Sequence, residues 1–160
     1  MTATTTSPVS GLTDEQQDFV EAIRDFAKRE AGTAEKREHL THNYTELHNR
    51  DLVEKLGELG WLGASISEEY GGIGGGMVDA CLFLEEGFRG LLPMAGYPVS
   101  LIVAGATEKF GSEEMKEEIL NGICQGRVEA IAMSEPGAGS DVGALSCRAE
   151  RSNGGYVLNG

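Results

Sequence analysis

Positive charge is scarce in this sequence. Thirteen Lys and Arg stand against 26 Asp and Glu, a formal net charge of −13. Such a surface repels phosphate backbones and anionic lipids, and no Lys/Arg patch offsets it, which argues against nucleic acid as a partner. A single anionic ligand held by backbone N–H groups is still compatible with it. Cysteine is scarce too. Cys81, Cys124 and Cys147 are odd in number and far apart, with no CxxC or Cys/His spacing suited to zinc. They read as three reduced thiols in a cytoplasmic protein. The opening "MTATTTSPVSG" lacks both basic residues and an apolar centre, so it is no signal or transit peptide. Residues 1–11 read as a flexible lead-in. No apolar run approaches the roughly 18 residues a membrane-spanning helix needs.

What is present suits a folded chain of one domain, or one domain and part of another. The 160 residues are 40% hydrophobic, enough for a real core. In "LTDEQQDFVEAIRDFAKREA", Thr13 is an N-cap and Gln16 completes a capping box, with acids in the first turn. Phe19, Ala22, Ile23, Phe26 and Ala27 recur at helical spacing on one face. Residues 32–49 are polar and hold His39, His42 and His48. The first two could share a helix face, but no HExxH frame or third ligand accompanies them, so they read as solvated surface histidines with no metal. "ELHNRDLVEKLGELGW" predicts a second helix with Leu47, Leu52, Leu56 and Leu59 inward, stopped at Gly60.

Five glycines in the six positions of "GGIGGG" preclude a helix interior there. Neither GxxxxGK[ST] nor GxGxxG fits between a strand and a helix, so the segment reads as a flexible helix–helix connection. "MVDACLFLEEGFRG" predicts a third helix. "VSLIVAGATEKFG" predicts a fourth, whose middle from Leu101 to Ala106 is apolar nearly all round, as in a central buried helix. Ser112 caps a fifth, with Met115, Ile119 and Leu120 facing in.

The texture changes after Arg127. "VEAIAMSE" reads as a strand, and "ALSCRAERS" alternates with Leu145, Cys147 and Ala149 on one face. "NGG" is a hairpin turn and "YVLNG" its return strand. The fold class expected is mainly α: an N-terminal helical bundle over 12–126, then the first strands of a β-barrel domain over 127–160. Two or three strands rarely stand alone, so the sheet belongs to a β domain that continues, or packs back on the helices.

Between strand and hairpin lies "AMSEPGAGSD". Ser134 and Ser140 offer hydroxyls, and Gly137 and Gly139 let a planar ligand approach the backbone. Asp141 could cap the turn, and Glu135 could bond backbone donors or a basic neighbour. By generic motifs alone it is a capped loop.

The run "MSEPGAGSDVGAL" resembles the signature of the acyl-CoA dehydrogenases, flavoenzymes that desaturate acyl thioesters. "LTDEQQDFVEAIRDFA", "LGELGWLGASISEEYGGIGGG" and "EKFGSEEMKEEIL" agree with that family in the same order. The resemblance covers nearly the whole chain from Leu12. It implies an N-terminal helical domain, a middle β-barrel domain and a C-terminal helical domain, in a homotetramer. It implies FAD against the middle domain, with Ile131, Met133 and Ser134 lining the flavin. Ile131 stands where the family often carries an aromatic residue. The Met133 main chain and the Ser134 hydroxyl would bond the ring's polar edge. Gly139 and Ser140 would lie near the pyrophosphate-ribityl side or the acyl-CoA thioester arm, making Ser140 a substrate contact as well. The reaction implied is α,β-desaturation of acyl-CoA, with a hydride passing to flavin N5 and an electron-transfer flavoprotein as acceptor. The family's catalytic base lies in the C-terminal domain, so no acid here is assigned to catalysis, and Glu135 is given a structural role. Two other readings stay open: a non-catalytic helical module that binds a partner chain, and a related acyl-CoA oxidase or flavin monooxygenase.

Overall fold

The computed structural model describes residues 11–160, so the lead-in, apart from Gly11, lies outside the described residues. The chain divides into two compact units, Met1–Ala130 and Ile131–Gly160. The first is helical: α1 (Asp14–Ala31), α2 (Ala34–Leu40), α3 (Arg50–Glu58), α4 (Met77–Arg89), α5 (Tyr97–Phe110) and α6 (Glu113–Cys124). The second holds one 3₁₀ turn, Val142–Ala144, and an antiparallel hairpin of β1 (Arg148–Ser152) and β2 (Gly155–Asn159).

The capping box of α1 forms as the sequence predicts. The Gln16 N–H donates to Thr13 Oγ1 at 3.2 Å, and the Thr13 N–H donates to the Gln16 side chain at 3.3 Å. Each bond satisfies a donor that the first helical turn leaves without a partner. Val20, Ile23, Phe26, Ala27 and Ala31 form the buried face, while Ala22 turns outward. That face packs on α4 around an aromatic cluster. The Phe83 ring, fully buried, lies 5.1 Å from Tyr97, 6.1 Å from Trp61 and 6.5 Å from Phe19. The Tyr97 hydroxyl donates to the Leu62 carbonyl at 3.0 Å, so its burial leaves no polar orphan. A second cluster joins Ile66, Tyr70, Ala104, Leu120, Ile123 and Cys124 where α5 meets α6.

Several expectations are corrected. The 32–49 segment contains a short helix, α2, capped by Thr33 through the Lys36 N–H. It buries no residue and so has no apolar stripe to betray it. Leu47 and Leu59 point outward. Leu47 precedes α3 in a backbone bridge to the α4–α5 connection, where the Ala95 N–H donates to its carbonyl at 3.1 Å, and Leu59 is the residue that closes α3. Leu52, Val53 and Leu56 form the inner face instead. α5 is not buried all round: Ser100, Ala104 and Thr107 face in, and Ile102 and Phe110 are exposed. An apolar composition leaves open which side finds a partner. Met115 is likewise exposed, with Leu120, Ile123 and Cys124 carrying the α6 core.

The glycine loop 71–76 is more closely tied than a loose connection. The Ile73 N–H donates to the Gly63 carbonyl at 3.1 Å, and the Gly74 N–H to the Ile66 carbonyl at 2.9 Å. A Cβ at Gly72 would stand 2.0 Å from the Ile66 carbonyl oxygen, so that glycine is required by close packing of main chain on main chain. The loop ends where the Gly76 N–H donates to the Asp79 carboxylate at 2.7 Å.

Residues 128–134, at the boundary of the two units along the chain, form no strand. A strand needs a neighbour to satisfy its ladder, and none pairs with this stretch among the described residues. The hairpin is present, with Asn153 and Gly154 both at positive φ, 46° and 82°, as a two-residue turn requires. Leu145 and Cys147 precede β1 rather than lining its face, and all ten residues of the two strands are exposed.

Candidate functional site

The signature segment is organised by Glu135. Its backbone makes a reciprocal pair with Ala138: the Glu135 N–H donates to the Ala138 carbonyl at 2.9 Å, and the Ala138 N–H to the Glu135 carbonyl at 3.1 Å. Pro136 and Gly137 form the tip of the turn so closed. The next residues out along its two arms are Ser134 and Gly139. The Glu135 side chain reaches further along the chain. One carboxylate oxygen accepts from the Ser146 N–H at 2.9 Å and the Ser146 hydroxyl at 2.6 Å, and the other accepts from the Cys147 N–H at 2.8 Å. The Ser146 hydroxyl and the two amides hold its carboxyl below the usual carboxylate range. Glu135 thus closes the loop 136–145 at its base. Within that loop the Gly143 N–H donates to Asp141 at 3.2 Å, so Asp141 caps the 3₁₀ turn that follows it rather than the Pro-Gly turn before it.

The flanking segment has the opposite character. Ile131 and Met133 are about half exposed, Ser134 and Ser140 are exposed, and residues 131–134 adopt neither helix nor strand. Among the described residues, neither the Met133 main chain nor the Ser134 and Ser140 hydroxyls have a hydrogen-bond partner. A Cβ built at Gly137 or Gly139 meets nothing within 4 Å. The chain's own packing therefore does not explain why these positions lack side chains. Free donors and acceptors next to an open glycine turn are what the polar edge of a planar ligand needs.

Elsewhere one buried ion pair is structural. Arg24 forks onto Glu86 with both bonds at 2.7 Å, and Glu86 is 4% exposed. Hydrogen bonds from Arg24 hold the Glu86 carboxyl below its usual range. His39 and His42 do not share a helix face, because His42 lies beyond α2 at φ 46°, where it pairs with Glu46 at 3.0 Å. His48 is not a solvated histidine. It is half-buried, and its Nδ1 accepts from the Gly96 N–H at 3.2 Å. Burial, with Arg50 nearby, pushes its pKa down, as suits a neutral acceptor. A cleft of about 990 Å³ between α1, α2 and α3 is lined by charges of both signs, with Lys55 paired to Glu30 across it. Among the described residues no group of three or more His, Cys, Asp or Glu is placed to hold a metal, and no helix is long and apolar enough to cross a membrane.

Sequence reasoning named Glu135 and missed Ser146, its partner. The signal was slight: a serine eleven residues on, within the alternating run "ALSCRAERS".

Comparison with known proteins bears on this segment. The family model described as "Acyl-CoA dehydrogenase, N-terminal domain" matches residues 13–127. The mitochondrial isovaleryl-CoA dehydrogenase of Solanum tuberosum is 34% identical over 150 residues, covering 92% of this chain and 36% of the relative. The glutaryl-coenzyme A dehydrogenase solved as its glutaryl-CoA complex superimposes with a TM-score of 0.77 at 29% identity, covering 93% of this chain and 38% of that one. A chain in the electron transferring flavoprotein structure of Acidaminococcus fermentans gives 0.73 at 31% identity, covering 94% and 40%. The chain therefore spans somewhat over a third of the length of these relatives. It belongs to the acyl-CoA dehydrogenase family.

Proposed function

We propose that this member of the acyl-CoA dehydrogenase family supplies the flavin-edge part of an FAD-dependent site that desaturates acyl-CoA thioesters. One observation carries the reading: the polar groups of Met133 and Ser134, without a hydrogen-bond partner among the described residues, beside the open turn at Gly137 and Gly139. These residues fit a flavin. The Met133 main chain and the Ser134 hydroxyl would bond the polar edge of the ring, and the half-exposed Ile131 and Met133 side chains would lie along its apolar body. Gly139 and Ser140 would sit towards the pyrophosphate-ribityl side, with Ser140 in reach of the acyl-CoA thioester arm. When bound, FAD supplies acceptance of the hydride from the β-carbon of the thioester. Donors fixed at the ring edge before reaction favour the negative charge that arrives there.

None of this chain's carboxylates is assigned to proton abstraction. Glu135, the acid in the signature, is engaged three times over, and a base must be free to take a proton. In this reading residues 12–126 are the helical domain and 127–160 open the middle β domain. The base and the tetramer contacts belong to the remaining length of such an enzyme, and an electron-transfer flavoprotein is the acceptor. Three unpaired thiols suit a reducing compartment such as the cytoplasm.

Two outcomes are expected of the purified 160-residue chain. It shows no turnover of any acyl-CoA with an artificial electron acceptor, and it retains little or no FAD through gel filtration. Turnover would overturn the first, and a yellow protein carrying near one equivalent of flavin the second. A second reading, a helical module that docks a partner chain, is favoured by the ten exposed strand residues of the hairpin. Co-purification with a separate chain that completes the sheet would support it, and a stable, strictly monomeric chain would count against it.

A further inference from the structure

We infer that Glu135 is the positioning residue of this site, fixing both halves of the flavin-facing surface through one carboxylate. The inference rests on the flavin reading above for its functional part only. Glu135 directly follows Met133–Ser134, so its φ and ψ set the direction in which those two residues present their polar groups. Its backbone is held by Ala138, and its side chain by Ser146 and Cys147 at the entry to β1. The loop 136–145, which carries Gly139 and Ser140, is thereby closed at its tip and at its base by the same residue. Ala138 within the loop is buried as well. The remaining ties inside the loop are the Asp141–Gly143 cap and the short turn beside it, which fix the loop to itself and to nothing outside it.

The chemistry of the clasp is specific to a carboxylate. All three groups facing Glu135 are donors, two amides and a hydroxyl, and an ionised carboxylate is acceptor-only. A glutamine would bring an NH₂ group against one donor and keep a single accepting oxygen. An aspartate is one methylene too short to span from the turn to Ser146 and Cys147.

The test compares wild type, Glu135→Ala and Glu135→Gln in the 160-residue chain by amide exchange and by backbone resonances, with FAD added at millimolar concentration as probe. In Glu135→Ala the Ser146 and Cys147 amides should exchange on the order of tenfold faster or more, since each loses its acceptor. The Met133, Ser134, Gly139 and Ser140 resonances should move, and those of Phe83 and Leu120 should not. FAD should shift Met133 and Ser134 in wild type, shift them less in Glu135→Gln, and leave them unmoved in Glu135→Ala. A residue that merely stabilised the hairpin would alter exchange and leave the FAD-induced shifts intact, and that result overturns the inference. So does Glu135→Ala with unchanged resonances at 133, 134, 139 and 140. If FAD shifts nothing in wild type, the flavin reading fails, and the exchange and resonance changes alone decide the positioning claim.

Discussion

The two units of this chain are held together by different means. In the helical unit, order comes from apolar side chains closed off from water, with Phe83, Ile23, Leu56 and Leu120 all at 0% exposure. In the unit Ile131–Gly160, every strand residue is exposed and Ala138 is the one buried residue, so order comes mainly from local hydrogen bonds: a turn, a clasp, a cap and a ladder. A core makes distant parts of the sequence depend on one another. A set of local bonds leaves each part nearly independent. A two-stranded hairpin with no buried face is marginal in water, so this unit is the pliable half. The residues proposed to meet the flavin all lie in that half.

The largest expected difference between the units is in side-chain truncation. Phe83→Ala removes the ring on which Phe19, Trp61 and Tyr97 converge, and should cost about 3–5 kcal/mol. Leu158→Ala, at a position 72% exposed, should stay within about 0.5 kcal/mol. Denaturant titration followed by Trp61, the sole tryptophan, reports the first directly, because Trp61 lies in the same cluster. A loss below about 1 kcal/mol at Phe83 would mean that the helical core is far looser than its burial implies. Hydrogen exchange sharpens the same contrast: the amide of Phe83 should be among the slowest, and that of Val157, whose pair with Glu150 falls on the hydrogen-bonded parity of the hairpin, among the fastest that carry a ladder bond.

A smaller effect is expected at the buried ion pair. Arg24→Ala leaves the Glu86 carboxylate buried with only Arg89, 3.8 Å away, to balance it. The cost should be about 2–3 kcal/mol, below that of a fully enclosed pair because the Arg24 side chain is 35% exposed. The pair also gives stability a pH dependence of known sign. The folded pKa of Glu86 is depressed, so its contribution is present above the unfolded value, near ~4.3, and is lost as pH falls through the lower folded value. Wild type should therefore lose its advantage over Arg24→Ala on acidification below that point. A difference that stayed constant down to the acid transition would show that packing of the Arg24 stem, rather than charge, sets the cost.

How much of this was legible in the sequence obeys the same division. α1 could be read because its signals are local and redundant: Thr13 and Gln16 at the start, a regular apolar face within. The hairpin could be read from Asn153-Gly154, where the backbone itself demands those residues. What needed a partner could not. Residues 128–134 look like a strand, yet a strand is defined by its neighbour. α5 looks buried all round, yet its sequence does not say which face another element covers. α2 gave no signal for the converse reason, since only Leu40 of its seven residues packs on the core and none is fully buried. At the site, Ile131 and Met133 were nameable only through resemblance to a family, and Ser134 was marked by the residues only as one hydroxyl in a turn. What marks Met133 and Ser134, polar groups with no partner among the described residues, is a property of three-dimensional surroundings and not of composition.

The smallest prediction isolates that lesson in two caps of one chemical kind. Ser112 Oγ accepts from the Met115 N–H at 3.3 Å at the start of α6, and Asp141 Oδ1 accepts from the Gly143 N–H at 3.2 Å in the signature loop. The two bonds are of similar length, and the carboxylate of Asp141 is if anything the stronger acceptor. They differ in the length and burial of the element each one starts. α6 continues for twelve residues and carries Leu120, Ile123 and Cys124 into the second apolar cluster, so fraying at its start is opposed by packing further along. Ser112→Ala should then cost about 1 kcal/mol of global stability, the usual worth of an N-cap. The turn capped by Asp141 is three residues long and buries none of them, so Asp141→Ala should shift global stability by no more than about 0.5 kcal/mol. Its effect should appear instead as faster exchange at Gly143, with Phe83 unmoved. If Asp141→Ala proved as costly as Ser112→Ala in denaturant titration, the signature loop would be coupled to the helical core, and the two units would have to be treated as one.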